Sequence, residues 1–187
     1  MASPYLLLLL GPSGAGKTTV KDHLVTKAGY DTAQKYTTRE HRGTVEDTRD
    51  FIFCTADEIP DSGVLRFTSY GAVFGIRLTA IEDSLRRGRC HVLTVGDCSS
   101  VESLRNIFPG RVATLFLYCD RHVLKSRIAA DPHRASRWPT VQEEVESIYS
   151  TISCIDHVID CSSPFARTVL HLNTLIETID RTFEEPL

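Results

Sequence analysis

Residues 11–18 read GPSGAGKT, Gly11 to Thr18, and follow directly on the apolar run Leu6-Leu-Leu-Leu-Leu10. Three glycines fall within six residues, just where a hydrophobic strand has to end. Glycine lets the backbone curl tightly enough to turn several N–H groups inward, and a helix starting straight afterwards adds the positive end of its dipole. The spacing G-x-x-x-x-G-K-[ST], with a strand before it and a helix after it, is the phosphate-cradling P-loop. Gly11, Ser13, Gly14, Ala15, Gly16, Lys17, Thr18 and Thr19 are therefore expected to hold a nucleotide. In such a loop the lysine reaches the β- and γ-phosphates and the Thr18 hydroxyl ligates Mg²⁺.

The rest of the composition narrows the partner. The chain has 187 residues, 42 % of them hydrophobic, enough for one sizeable core and hence a single domain over residues 1–187. A formal net charge of −3 gives no basic field of the kind that draws a protein to nucleic acid or to anionic lipid. The apolar run at 6–10 is too short for a signal peptide or a membrane span. The six cysteines, at 54, 90, 98, 119, 154 and 161, form no C-x-x-C pair and read mostly as buried thiols in a reducing, cytoplasmic setting. The seven histidines form no pair at metal-ligand spacing. A small-molecule partner is expected, with no nucleic acid and no membrane, for a protein that is a monomer or a homodimer.

Strand-length apolar runs at 5–10, 91–95, 112–118 and 156–160 alternate with amphipathic segments at 18–27, 101–108, 122–129 and 166–183. That alternation predicts an α/β fold, a five-stranded parallel sheet with helices on both faces. Between residues 32 and 77 the pattern changes to short strands at 34–38, 50–54, 64–70 and 72–74, which predicts a small antiparallel insert without helices. Residues 130–140, with Arg134, Arg137 and two prolines, read as a flexible loop.

After the first insert strand come Thr37-Thr-Arg39-Glu-His-Arg42, two arginines three apart, with Asp50-Phe51-Ile-Phe53 downstream. Arginine forks bind phosphate oxygens bidentately, so this pair is a candidate second phosphate site facing the P-loop. Taken together with Tyr70-Gly-Ala-Val-Phe-Gly75, Val92-Leu-Thr-Val-Gly-Asp97 and Asp156-His-Val-Ile-Asp160, these segments resemble the guanylate kinase family over nearly the whole chain. The resemblance implies a P-loop kinase using ATP and Mg²⁺, with an acceptor-binding insert at 32–77 and a short arginine-bearing LID at 130–140. It assigns Arg39 and Arg42 to the acceptor phosphate and Asp97 to an acceptor or metal-site carboxylate. Lys17 joins Arg127, Arg134 and Arg137 as the groups that clamp the transferring phosphoryl.

The departures fall on the acceptor side. Phe51 and Phe74 stand where the family has tyrosines, and Ile76, Leu65 and Lys35 stand near the positions that read guanine. The LID segment is also shorter than the family's. Phosphate grip is retained while base readout is altered, with Lys35, Phe51 and Phe74 lining the acceptor site. Two acceptor classes stay open: a nucleoside monophosphate, favoured by the paired arginines, and a ribose bisphosphate of the kind taken by shortened relatives of the family. A non-catalytic interaction module is the third reading, which the intact Lys17 and Thr18 disfavour.

Overall fold

The computed structural model describes residues 3–41, 43, 45–69, 71–131, 138–149 and 152–184. Its main sheet has four parallel strands in the order β6 (His91–Thr94), β1 (Leu6–Leu10), β7 (Val112–Tyr118), β8 (His157–Asp160). All five leucines of β1 are buried because the strand is central and both of its faces are covered. Leu7 and Leu9 face a core built with Val20 and Leu24 of α1 (Lys17–Lys27), Leu124 and Ile128 of α5 (Arg121–Ala129), and Leu172, Ile176 and Ile179 of α7 (Phe165–Thr182). Leu6, Leu8 and Leu10 face the opposite core, with Ile81 and Leu85 of α3 (Leu78–Arg86) and Val101 and Leu104 of α4 (Cys98–Ile107).

The expected fifth parallel strand is not found among the described residues. Its place beside β6 is taken by one bridge, in which Asp31 N donates to Cys90 O and Val92 N donates to Asp31 O, both at 2.8 Å. Asp31 is a charged residue tied outward to Arg87 and Arg89 at 2.9 and 2.8 Å, and the following Thr32-Ala33-Gln34 offers no apolar pair to extend a buried strand.

The insert forms a second four-stranded sheet, ordered β3 (Phe51–Phe53), β2 (Lys35–Thr37), β5 (Ala72–Arg77), β4 (Val64–Ser69). It is mixed and not purely antiparallel: β2 pairs parallel with β3, whereas β5 is antiparallel to both β2 and β4. The cause is a short helix, α2 (Val45–Asp50), between β2 and β3. Parallel neighbours need a crossover, and α2 supplies it where a helix-free insert was expected.

Helix α6 (Trp138–Tyr149) follows the LID segment, so residues 138–140 belong to a helix and not to the loop expected there. Trp138 packs against the α1-side core. Residues 132–137, including Arg134 and Arg137, lie outside the described residues, as does Arg42. The cysteine reading also needs correction. Cys98, at the start of α4, is joined by a disulfide to Cys154 in the 3-10 turn Ile152–Cys154, while Cys119 and Cys161 are buried thiols and Cys54 and Cys90 half-buried ones. Among the described residues no helix is long and apolar enough to cross a membrane.

Candidate functional site

At the carboxyl end of β1 the chain makes the turn that the glycines allow. Gly11 has φ +139°, and a Cβ there would lie 2.7 Å from the Leu117 carbonyl oxygen, so the close approach of the loop to β7 admits glycine alone. Gly16 is left-handed at φ +101° and takes the N-cap position of α1. With no side chain it makes no cap, which leaves the first-turn amides of α1 for whatever enters the loop. Lys17 folds back on the loop, its Nζ donating to Gly11 O and, at 3.0 Å, to Pro12 O. The ammonium is thereby held at the loop mouth on neutral carbonyls that a phosphate can displace.

A cavity of about 400 Å³ opens over this loop. Residues 13–19 form one wall; Arg39, Asp50, Phe51, Phe74 and Thr94 belong to the insert and the end of β6; Arg127 of α5 completes the rim beside Cys161. Lys17, Thr18, Arg39, Phe51, Phe74 and Arg127 are thus brought together around one space. Arg127 is anchored, Nη2 donating to Cys161 O at 2.8 Å and Nη1 to Cys119 Sγ at 3.5 Å.

Arg39 is held by aromatic rings. Its guanidinium carbon sits 4.5 Å from the Phe51 centroid and 5.1 Å from that of Phe53, and Nη1 donates to Glu40 O at 2.9 Å. Such stacking fixes the guanidinium plane and contributes roughly 0.5–2 kcal/mol. Phe74 stacks on Phe67 at 5.4 Å and lies 6.2 Å from Phe51. Lys35 lies behind this wall, Nζ donating to Thr94 O at 2.8 Å and Thr94 Oγ1 at 2.9 Å. Asp97 is placed elsewhere. It caps α4, accepting from Ser100 N at 2.8 Å, Ser99 Oγ at 2.6 Å and Ser100 Oγ at 3.0 Å, and it is not among the residues lining the cavity.

Several polar groups at the site escaped the sequence reading, among them Asp50, Lys21 and Thr94. Asp50 lines the cavity, and its Oδ1 accepts from Lys21 of α1 at 2.6 Å and from Arg49 at 3.0 Å. Burial alone would raise the Asp50 pKa, but the Arg49 and Lys21 hydrogen bonds outweigh it and hold the carboxyl below its ordinary value. The one signal for Lys21 was a charge one turn after Lys17 on the face of α1 that also carries Val20 and Leu24. Thr94 had only its place at the end of β6, and nothing marked it apart from its neighbours.

Among the described residues, five basic side chains thus gather on or just behind the walls, Lys17, Lys21, Lys35, Arg39 and Arg127, against one lining carboxylate, Asp50. That balance suits a ligand rich in phosphate. No cluster of three or more His, Cys, Asp and Glu that could hold a metal ion occurs among the described residues. The donors present fit a Mg²⁺ carried in on phosphate oxygens, with the Thr18 hydroxyl as its protein ligand, since Mg²⁺ keeps most of its waters and needs few protein groups.

The family model described as guanylate kinase matches residues 3–179. A guanylate kinase from Lactobacillus delbrueckii subsp. bulgaricus is 31 % identical over 136 residues, which is 68 % of this chain and 66 % of that relative's length. The alignment therefore spans just under two thirds of the relative. Among solved structures, a guanylate kinase from Anaplasma phagocytophilum superposes with a TM-score of 0.73 at 15 % identity, covering 96 % of this chain and 88 % of that one. A sugar kinase from Janibacter sp. HTCC2649 superposes with a TM-score of 0.58 at 16 % identity, covering 97 % of this chain and 99 % of that one. At such identities these likenesses speak for the fold.

Proposed function

Since the chain belongs to the guanylate kinase family, we propose that it is an ATP-dependent kinase that moves the γ-phosphoryl group to a small phosphorylated acceptor, a nucleoside monophosphate or a close analogue. The observation that carries this reading is the single cavity with the P-loop on one wall and Arg39, stacked on Phe51, on the other. Phosphoryl transfer needs little covalent help from the protein; it needs two phosphates held in line and their charge neutralised.

In this reading the loop amides and Lys17 hold the β- and γ-phosphates, Lys17 exchanging the Gly11 and Pro12 carbonyls for phosphate oxygens. Mg²⁺, held by Thr18, neutralises phosphate charge when bound. Arg39 grips the acceptor phosphate, with Arg42 expected beside it. Arg127 faces the transferring group from the α5 side, and Arg134 and Arg137 are the LID candidates to join it. Each preorganised cation is worth roughly 2–4 kcal/mol of barrier.

Base readout separates the two acceptor classes. The aromatic surface of the acceptor half is already engaged, Phe51 by Arg39 and Phe74 by Phe67, which favours an acceptor recognised through its phosphates. A ribose bisphosphate satisfies that condition as well as a nucleotide does and stands as the second reading. The test is a coupled ADP-release screen of the wild-type protein over GMP, AMP, CMP, UMP, dTMP and ribose 1,5-bisphosphate. A turnover-competent acceptor among them supports the kinase reading. ATP hydrolysis unaffected by every acceptor overturns it.

A further inference from the structure

Lys35 is a charged group that this chemistry leaves unused. It is 9 % exposed, on β2, the strand that leads into Arg39. Its Nζ donates to two acceptors on a single residue, Thr94 O and Thr94 Oγ1, and lies 5.4 Å from the centroid of Phe51. Thr94 and Phe51 both line the cavity.

The charges facing Lys35 come from every side: Lys17 and Lys21 on α1, Arg39 beyond β2, and Asp50 at the end of α2. Three are cations, and the one carboxylate already accepts from Lys21 and Arg49 through the same oxygen. A buried ammonium among like charges gives up its proton more readily than one in water. Burial first, then Lys21, bring Lys35 down to about 7, with Asp50 opposing and Lys17 and Arg39 adding to the fall. The neutral amine has two N–H bonds, the number that Thr94 accepts. A third appears only on protonation, and no acceptor for it is found among the described residues.

We infer that Lys35 reads the charge of the acceptor: a phosphomonoester dianion entering beside Arg39, Phe51 and Thr94 is bound together with one proton, which passes from solvent to Lys35 Nζ. The amine becomes an ammonium, and the anion in the cavity, across the Phe51 and Thr94 side of the wall, supplies the counter-charge. An uncharged analogue, such as a nucleoside, lacks the charge that stabilises this proton and is refused. The inference rests on the acceptor half of the proposed function, since β2 belongs to the insert and Lys17, not Lys35, sits on the P-loop.

The experiment is calorimetric titration of the full chain at pH 8, separately with GMP, ribose 5-phosphate and ATP, in buffers of different ionisation enthalpy, so that the slope counts protons. At that pH the phosphomonoester is already a dianion. Wild-type protein should take up about 0.9 proton with GMP or ribose 5-phosphate, and its affinity should fall roughly tenfold between pH 8 and pH 9. Lys35→Met should take up none. Lys35→Arg, charged throughout, should also take up none and should bind with little pH dependence. The inference is overturned by absence of uptake in the wild type, by equal uptake in Lys35→Met, or by uptake that accompanies ATP and not the phosphomonoesters. Binding of ATP with neither phosphomonoester binding overturns it while leaving the nucleotide half standing. Failure of ATP itself to bind removes the kinase reading.

Discussion

Asp50→Asn tests whether the insert is tied to the P-loop helix by a buried charge pair. Asp50 Oδ1 accepts from Lys21 Nζ at 2.6 Å with the two side chains only 13 % and 8 % exposed, and Arg49 Nε reaches the same oxygen at 3.0 Å from a position 46 % exposed. Breaking a buried pair from one side costs roughly 3–5 kcal/mol, because the surviving charge is stranded. The two sides are not equivalent. Asp50→Asn strands the Lys21 ammonium, so the whole figure applies. Lys21→Met leaves Asp50 still paired with the half-exposed Arg49, so the loss should be nearer 1–2 kcal/mol. For a chain of this size these correspond to falls in Tm of roughly 6–20 °C and 2–8 °C. The double variant should be milder than Asp50→Asn alone, since it strands nothing. Urea unfolding of the four proteins reads the cycle directly. The reasoning is refuted if Lys21→Met costs as much as Asp50→Asn, or if the double variant is worse than both. The pH dependence has a definite sign. A carboxyl with a lowered folded pKa contributes stability that is fully present above its unfolded value of about 3.9 and lost as pH falls through the folded one. The gap between wild type and Asp50→Asn should therefore be constant at neutral pH and close below about pH 4.

Three further outcomes are expected. Lys17→Ala should abolish phosphotransfer with Tm nearly unchanged, because the ammonium rests on two loop carbonyls and not in a core; near-normal turnover would remove the P-loop from the chemistry. Arg39→Ala should raise the KM for the acceptor at least tenfold with little change in that for ATP, measured by coupled ADP release; an equal effect on both substrates would make Arg39 a scaffold for Phe51 and Phe53. Gly11→Ala should destabilise by roughly 2–4 kcal/mol in thermal unfolding, since the added Cβ would meet Leu117 O at 2.7 Å in a left-handed backbone; a neutral result would mean that the loop is not seated on β7.

What could be read from sequence was what depends on neighbours in the chain. The P-loop is a contiguous strand, turn and helix, so its eight residues disclose it. The unbroken apolar run 6–10 likewise marks a strand covered on both faces. Helix α2 was hidden because Val45-Glu-Asp-Thr-Arg-Asp50 is too short to show an apolar period, and with α2 went the parallel pairing of β2 and β3. Cys98 and Cys154 are 56 residues apart and meet only after the sheet has formed. Asp97 shows how one local pattern fits two roles. An aspartate just after a hydrophobic strand suggests a site carboxylate, but Asp97-Cys-Ser-Ser100 also has the spacing of a helix cap, and capping is the contact that this carboxylate makes. The Lys21–Asp50 and Lys35–Thr94 contacts join residues 29 and 59 positions apart, and no local signal connects them.

On the proposed function, the geometry around Arg39 accounts for a phosphate site that persists while its base readout changes. A phosphate is recognised by charge and by a fixed guanidinium plane, and the plane needs only a ring beneath it. Phe51 and Phe53 supply those rings, so loss of a ring hydroxyl leaves Arg39 in place. A base is recognised by matched donors and acceptors, and each one left unpaired on burial costs about 1–3 kcal/mol. Leu65, half-buried, and Ile76, buried, offer no such partners near the positions that read guanine in the family. Lys35, which the resemblance sets near the same positions, is turned toward Thr94 at the end of β6. Selectivity in such a site follows the number and charge of the phosphates before the identity of the base, and the substrate screen should rank acceptors in that order.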